Sequence, residues 1–130
     1  MASIFSKIVK GEIPSYKVAE NENFYAFLDI NPLQKGHTLV VPKKEVDYIF
    51  DLSDEEWLGL MAFAKEVALA IGKAIPCLRV GMAVIGLDVP HAHVHLVPLQ
   101  GGGDLNFNNP KKQFTADEMK ACAEVISQNM

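Results

Sequence analysis

The spacing of apolar and polar positions changes period along this chain, and each change marks out an element. Ile4-Phe5-Ser6-Lys7-Ile8-Val9 reads as a helical turn that ends before Ile13-Pro14. Residues 16–20 alternate as Tyr-Lys-Val-Ala-Glu, and residues 24–30 are aromatic and apolar. The polar Glu20-Asn21-Glu22-Asn23 between them makes a β-hairpin the economical reading. Turn signals at Asn31-Pro32 and Lys35-Gly36 precede a third strand over 37–41, His-Thr-Leu-Val-Val, which Pro42 should stop.

Ser53-Asp54-Glu55-Glu56 has the form of a capping box, in which Ser and Glu side chains satisfy free backbone N–H groups at a helix start. The helix it opens should run to about Lys73. Trp57, Met61, Ala64, Ala68 and Ile71 form its apolar stripe, and Leu60, Phe63 and Val67 widen it. A stripe that broad fits a helix covered on two sides, by its own sheet and a second subunit, or one deep in a single core. Residues 78–85 and 92–99 read as two more strands. Gly101-Gly102-Gly103 reads as a flexible connection. Thr115-Ala116-Asp117-Glu118 is a second capping box, opening a terminal helix over about 115–128. About five mostly antiparallel strands, one long helix and a terminal helix make an α+β fold in a single domain over 1–130.

Composition narrows the function classes. Of 130 residues, 49% are hydrophobic and 22% charged, which is a globular balance. A net charge of −4, with lysine pairs only at Lys43-Lys44 and Lys111-Lys112, argues against nucleic acid as a partner. No apolar run reaches the roughly 20 residues that span a bilayer, and the N-terminal residues lack the apolar centre of a signal peptide. A cytoplasmic protein without a membrane partner is the expectation. Cys77 and Cys122 lack metal-type spacing and read as small hydrophobes rather than a disulfide.

The chemistry concentrates in Pro90-His91-Ala92-His93-Val94-His95-Leu96-Val97-Pro98. Three of the four histidines are here, and the fourth is His37. On an extended strand His91, His93 and His95 share one face, their alternate Cα atoms about 6.6–6.8 Å apart, while Ala92, Val94 and Leu96 face the core. Neutral imidazole is nucleophilic near pH 7, and its phosphoramidate hydrolyses readily. Neighbouring imidazoles can donate to phosphate oxygens as charge builds on them. For attack, one ring nitrogen must stay unprotonated, and a hydrogen bond from the other to a backbone carbonyl would fix that tautomer. Zinc binding is the competing use of His-x-His, although Asp88 is the only carboxylate near in sequence.

The histidine segment resembles the signature of the histidine-triad (HIT) nucleotide hydrolases and transferases. So do Ile4-Phe5 through Pro14, Ala26-Phe27-Leu28-Asp29-Ile30-Asn31-Pro32, and Gly36-His37 through Lys43, in the family's order. The likeness covers about residues 4–99. It implies that His93 is a nucleophile forming a covalent nucleotidyl-histidine. His95 would donate to phosphate and leaving group, with His91 and His37 supporting. It also implies that Asp29 binds ribose hydroxyls, where a turn-forming role is the plainer alternative. Phe5, Ile8, Phe27 and Ile30 would wall the base pocket, where core packing is the alternative. A homodimer with joined sheets, purine nucleotide or nucleoside monophosphate as ligand, and no cofactor complete the implication.

Two departures from the family pattern stand out. The segment before the triad, Gly81 to Pro90, is short and apolar, and Asp88 stands where the family carries Ser or Thr against the phosphate. Many relatives hold a structural zinc with two opening cysteines; here those positions are Ser3 and Ser6, so no metal is expected. Hydrolysis at the α-phosphate of phosphoramidates, adenylates or dinucleoside polyphosphates is the leading reading. A nucleotide-binding module with little turnover and a zinc hydrolase are the other classes left open.

Overall fold

The computed structural model describes residues 2–130. Helix α1 spans Ile4–Val9 and is capped by Ser3, whose side chain accepts from the Ser6 amide. Strands β1 (Lys17–Glu20) and β2 (Phe24–Leu28) form the expected hairpin, and Asn21 closes its turn by accepting from the Asn23 and Phe24 amides. Strand β3 spans Thr38–Pro42, so Pro42 is its last residue. Helix α2 spans Asp54–Ala74 and α3 spans Ala116–Ser127, each opened by the full reciprocal capping box. Strands β4 (Arg79–Ala83) and β5 (Val94–Leu99) are shorter than the apolar runs that announced them.

The five strands form one antiparallel sheet in the order β1-β2-β3-β5-β4. The α+β class follows from that sheet and its helices. Register assigns each face, because directly opposed residues in an antiparallel pair project to the same side. Ala26, Val40 and Val94 oppose one another across β2, β3 and β5 and join the core beneath the helices. Phe27, Leu39 and His95 form the neighbouring row on the opposite face. There a smaller apolar cluster gathers Phe5, Ile8, Tyr25, Phe27, Leu39 and Val41.

The buried stripe of α2 is rotated from the one its spacing announced. Leu60, Phe63, Ala64, Val67, Ala70 and Ile71 are buried on the sheet, whereas Trp57, Met61 and Ala68 are half-buried at its margin. Residues 91–93 also depart from expectation. Only His95 lies within a strand; His91 and His93 sit in the extended approach to β5. The His91 amide bonds Val89 O and the Ala92 amide bonds Val46 O, so these groups serve loops rather than the sheet ladder. Alternation survives all the same: Ala92, Val94 and Leu96 are core residues, and the histidines face away from it. Both cysteines are free thiols, Cys122 buried and Cys77 half-buried. Among the described residues no helix is long and apolar enough to cross a membrane.

Candidate active site

All four histidines are buried and converge on the face that carries Phe5 and Phe27. The His93 Nδ1–H donates to the His91 carbonyl at 2.7 Å. This is the carbonyl bond that nucleophilic use requires, and it leaves the Nε2 lone pair of His93 free. His91 is fixed in turn from both sides. Its Nε2–H donates to Pro42 O at 2.8 Å, and its Nδ1 accepts from Ser3 Oγ at 2.8 Å. Ser6 Oγ donates to Glu45 Oε1 at 2.7 Å, and the same oxygen accepts from the Ser3 amide. The Ser3 amide bond, with Ser6 beside it, holds the Glu45 carboxyl down to about 2. Burial lowers the His91 imidazole, although the Pro42 bond and Glu45 oppose the shift.

A second chain of donors fixes His37 and His95. The Leu33 amide donates to His37 Nδ1 at 3.0 Å, so the His37 proton sits on Nε2. That proton points at His95 Nδ1, 3.0 Å away, which places the His95 proton on its own Nε2. Burial holds His37 at about 4 and His95 at about 3, so both rings are neutral at pH 7. Among the described residues no buried side-chain nitrogen or oxygen lacks a partner. The Nε2 atoms of His93 and His95 have no protein partner, so both open to solvent. Their rings lie 4.9 Å apart, centre to centre. The result is that His93 Nε2 stands beside the outward N–H donor of a neutral His95.

The other sequence candidates divide. Phe5 stands edge-on to His93 at 5.0 Å and to Phe27 at 5.5 Å, and Ile8 joins the same buried cluster. Ile30 does not: it is 72% exposed, which removes core packing as its role. Asp29 sits at the edge of the site, its Oδ2 3.6 Å from His37 Nε2. Its Oδ1 accepts from the Asn31 amide at 2.8 Å, so the turn-forming role is real and occupies one oxygen. Burial raises the Asp29 carboxyl, against the Asn31 bond and His93. Asp88 is exposed, and every polar nitrogen of the triad that has a partner finds it elsewhere.

The sequence named Asp29 but not its closeness to the histidines, and it missed Phe107. The carboxylate beside the histidines is Asp29, not Asp88, because the β2–β3 turn brings it to His37. Phe107, beyond the recognisable motifs, stands edge-on to His95 at 4.7 Å and to His37 at 6.2 Å. No pattern announced Phe107; its loop lacks periodicity.

Two groupings bear on metal binding. Asp29, His37 and His95 offer donor atoms within 4.8 Å of one another. However, the Leu33 amide occupies His37 Nδ1, so a cation at Nε2 would have to displace the proton and leave an imidazolate. Ser3, Ser6, Glu45 and His91 converge at the other end of the site. Alcohols keep their protons and here spend them on Glu45 and His91. Neither set fits zinc, which favours thiolate and free imidazole nitrogens.

Comparison with known proteins agrees with this geometry. The HIT domain family matches residues 10–102. A Schizosaccharomyces pombe protein named adenosine 5′-monophosphoramidase hnt1 is 38% identical over 129 residues, covering 98% of this chain and 97% of that protein. The crystal structure of a Hit-like protein from Bartonella henselae superposes with a TM-score of 0.85 at 28% identity, covering 98% of this chain and 96% of that one. A zinc-bound histidine triad family protein from Mycobacterium smegmatis gives 0.83 at 28% identity, covering 99% and 93%. With the HIT domain matched over most of its length and a relative 38% identical along nearly the whole of both chains, this chain belongs to the HIT family.

Proposed function

We propose that this protein is a nucleotide hydrolase or transferase that acts on the α-phosphate of nucleoside 5′-phosphate derivatives through His93. The observation that carries the reading is the pairing of two fixed tautomers. The His93 Nδ1–H is spent on the His91 carbonyl, so Nε2 is the atom free to attack. The Leu33–His37–His95 chain turns the neighbouring Nε2–H outward. A nitrogen nucleophile beside an N–H donor suits phosphoryl transfer, because one atom attacks phosphorus while the other stabilises the charge on its oxygens. Resemblance to a protein named adenosine 5′-monophosphoramidase supports phosphoramidates as one substrate class.

In this reading His93 Nε2 forms a bond to the α-phosphorus as the bond to the leaving group breaks with its electron pair. An amine leaving group takes up a proton from solvent at its nitrogen and departs neutral, and the hydrolytic water of the second step returns a proton to solvent. The His95 Nε2–H donates to the reacting phosphoryl group. Water then attacks phosphorus, displaces the imidazole with its electron pair, loses its proton and releases nucleoside monophosphate. The base would lie against Phe5, Ile8, Phe27 and exposed Ile30, with Asp29 Oδ2 toward the ribose hydroxyls. The working form would be a homodimer.

Product analysis with adenosine and guanosine phosphoramidates and dinucleoside polyphosphates tests this. Nucleoside monophosphate should be released, and His93→Ala should abolish release while keeping monophosphate affinity within about tenfold, roughly 1.4 kcal/mol. His95→Ala should retain residual activity, since losing one oxyanion donor costs on the order of 10²–10³ in rate. Undiminished turnover in His93→Ala would refute the mechanism.

A further inference from the structure

The segment between β5 and α3 is held in one place by its own polar groups. Asp104 accepts from the Gln100 and Gly101 amides at 2.6 and 2.9 Å, which closes the glycine run into a turn. Lys112 N–H donates to Pro32 O at 2.8 Å, tying the far end to the turn that carries Asp29. Between these anchors, Phe107 lays its ring against His95 and His37. The Lys111 ammonium donates to the carbonyls of Phe107 and Asn109 at 2.5 and 3.2 Å.

Charge gives the arrangement its meaning. The imidazoles of His37 and His95 are neutral at pH 7, and Asp29 contributes the site's carboxylate. Lys111 acts electrostatically on both Asp29 and His37, so its charge reaches the site. Among the described residues it has no carboxylate partner within salt-bridge distance; its bonds are to neutral carbonyls, and Asp29 is the carboxylate it acts on from farther away. Through the Phe107 carbonyl the ammonium is tied to the residue whose ring stands against His95, whereas Phe5 is the ring that stands against His93.

From this we infer that the Phe107–Lys111 segment walls the leaving-group side of the site, with Lys111 as the specificity-determining residue that favours an anionic group attached to the α-phosphate. The inference rests on the nucleotide reading above for which side of the α-phosphate meets His95. It does not depend on turnover.

Calorimetric titration with AMP and ADP tests it, because the two ligands differ only by the β-phosphate. The wild type should bind ADP about tenfold more tightly than AMP, the scale of one hydrogen bond to a charged group. Lys111→Met should bring the two within about twofold of each other, and Lys111→Arg should keep the preference. Added salt should erode the preference in the wild type and leave Lys111→Met unmoved. Equal affinities in the wild type, or the full preference retained in Lys111→Met, would overturn the assignment. Those ADP preferences without turnover of any phosphoramidate would count against the His93 mechanism and leave Lys111 standing. Binding of neither nucleotide would defeat both.

Discussion

At the scale of single residues, the site is a set of proton positions. Three of the four imidazoles are told which nitrogen to protonate by a backbone partner, a carbonyl for His91 and His93 and an amide for His37, and His37 passes the instruction on to His95. Backbone groups cannot change protonation state, so the partner's side of each of these bonds is fixed. Asp29 carries two tasks, one oxygen on the Asn31 amide and the other facing the site. Asp29→Asn keeps an acceptor for the turn but removes the charge. It should weaken nucleoside monophosphate binding by roughly 1.5–3 kcal/mol, the worth of hydrogen bonds to a charged group. A 2′-deoxy ligand should lose part of that energy in the wild type and little in the variant. Equal losses in both would remove Asp29 from the ribose side.

At the scale of elements, the sheet does the positioning and α2 holds the sheet. Register puts Phe27, Leu39 and His95 in one row, so the site depends on β2, β3 and β5 staying in step. A slip of one residue would send His95 into the helix-side core. Leu60 is fully buried at the centre of the α2 contact with that sheet. Leu60→Ala should cost about 2–5 kcal/mol in chemical denaturation, the range for a buried leucine whose cavity cannot fully collapse. A loss under 1 kcal/mol would mean that α2 is not the main support. The capping boxes, the hairpin and the histidine alternation were legible in the chain because their signals are local. The rotation of the α2 stripe was not, because Trp57 and Met61 are as apolar as the residues that outcompeted them for the sheet. Nor was the loop bonding of residues 91–93, which depends on Val46 and Val89. Phe107 and the closeness of Asp29 to His37 depend on chain folding rather than period.

At the scale of the whole molecule, β4 is an edge strand whose surroundings are apolar. Leu78 is 76% and Leu87 87% exposed, and Met82, Val84 and Ile85 are exposed between them. An edge of that kind invites pairing with another strand, and a second copy of this chain would supply an identical one. The proposed homodimer would therefore join the sheets through β4. Sedimentation at micromolar concentration should give about twice the 14.3 kDa chain mass, and Met82→Lys should shift it to monomer. A monomeric wild type would rule this out. Oligomeric state had only an indirect trace in the sequence, the breadth of the α2 stripe, and most of that breadth is used within one chain. The stronger trace lies in the apolar residues 78–87.

The central claim is that His93 Nε2 takes the nucleotide, and covalent trapping tests it most directly. A wild-type reaction with an adenosine phosphoramidate would be quenched without acid, digested and mapped by mass spectrometry, since a phosphoramidate bond is labile to acid. The account predicts one added adenylate on the peptide containing residues 91–95, localised to His93 by fragmentation and absent from His93→Ala. An adduct on His91, His95 or a residue outside the triad, in protein that is turning over substrate, would contradict it.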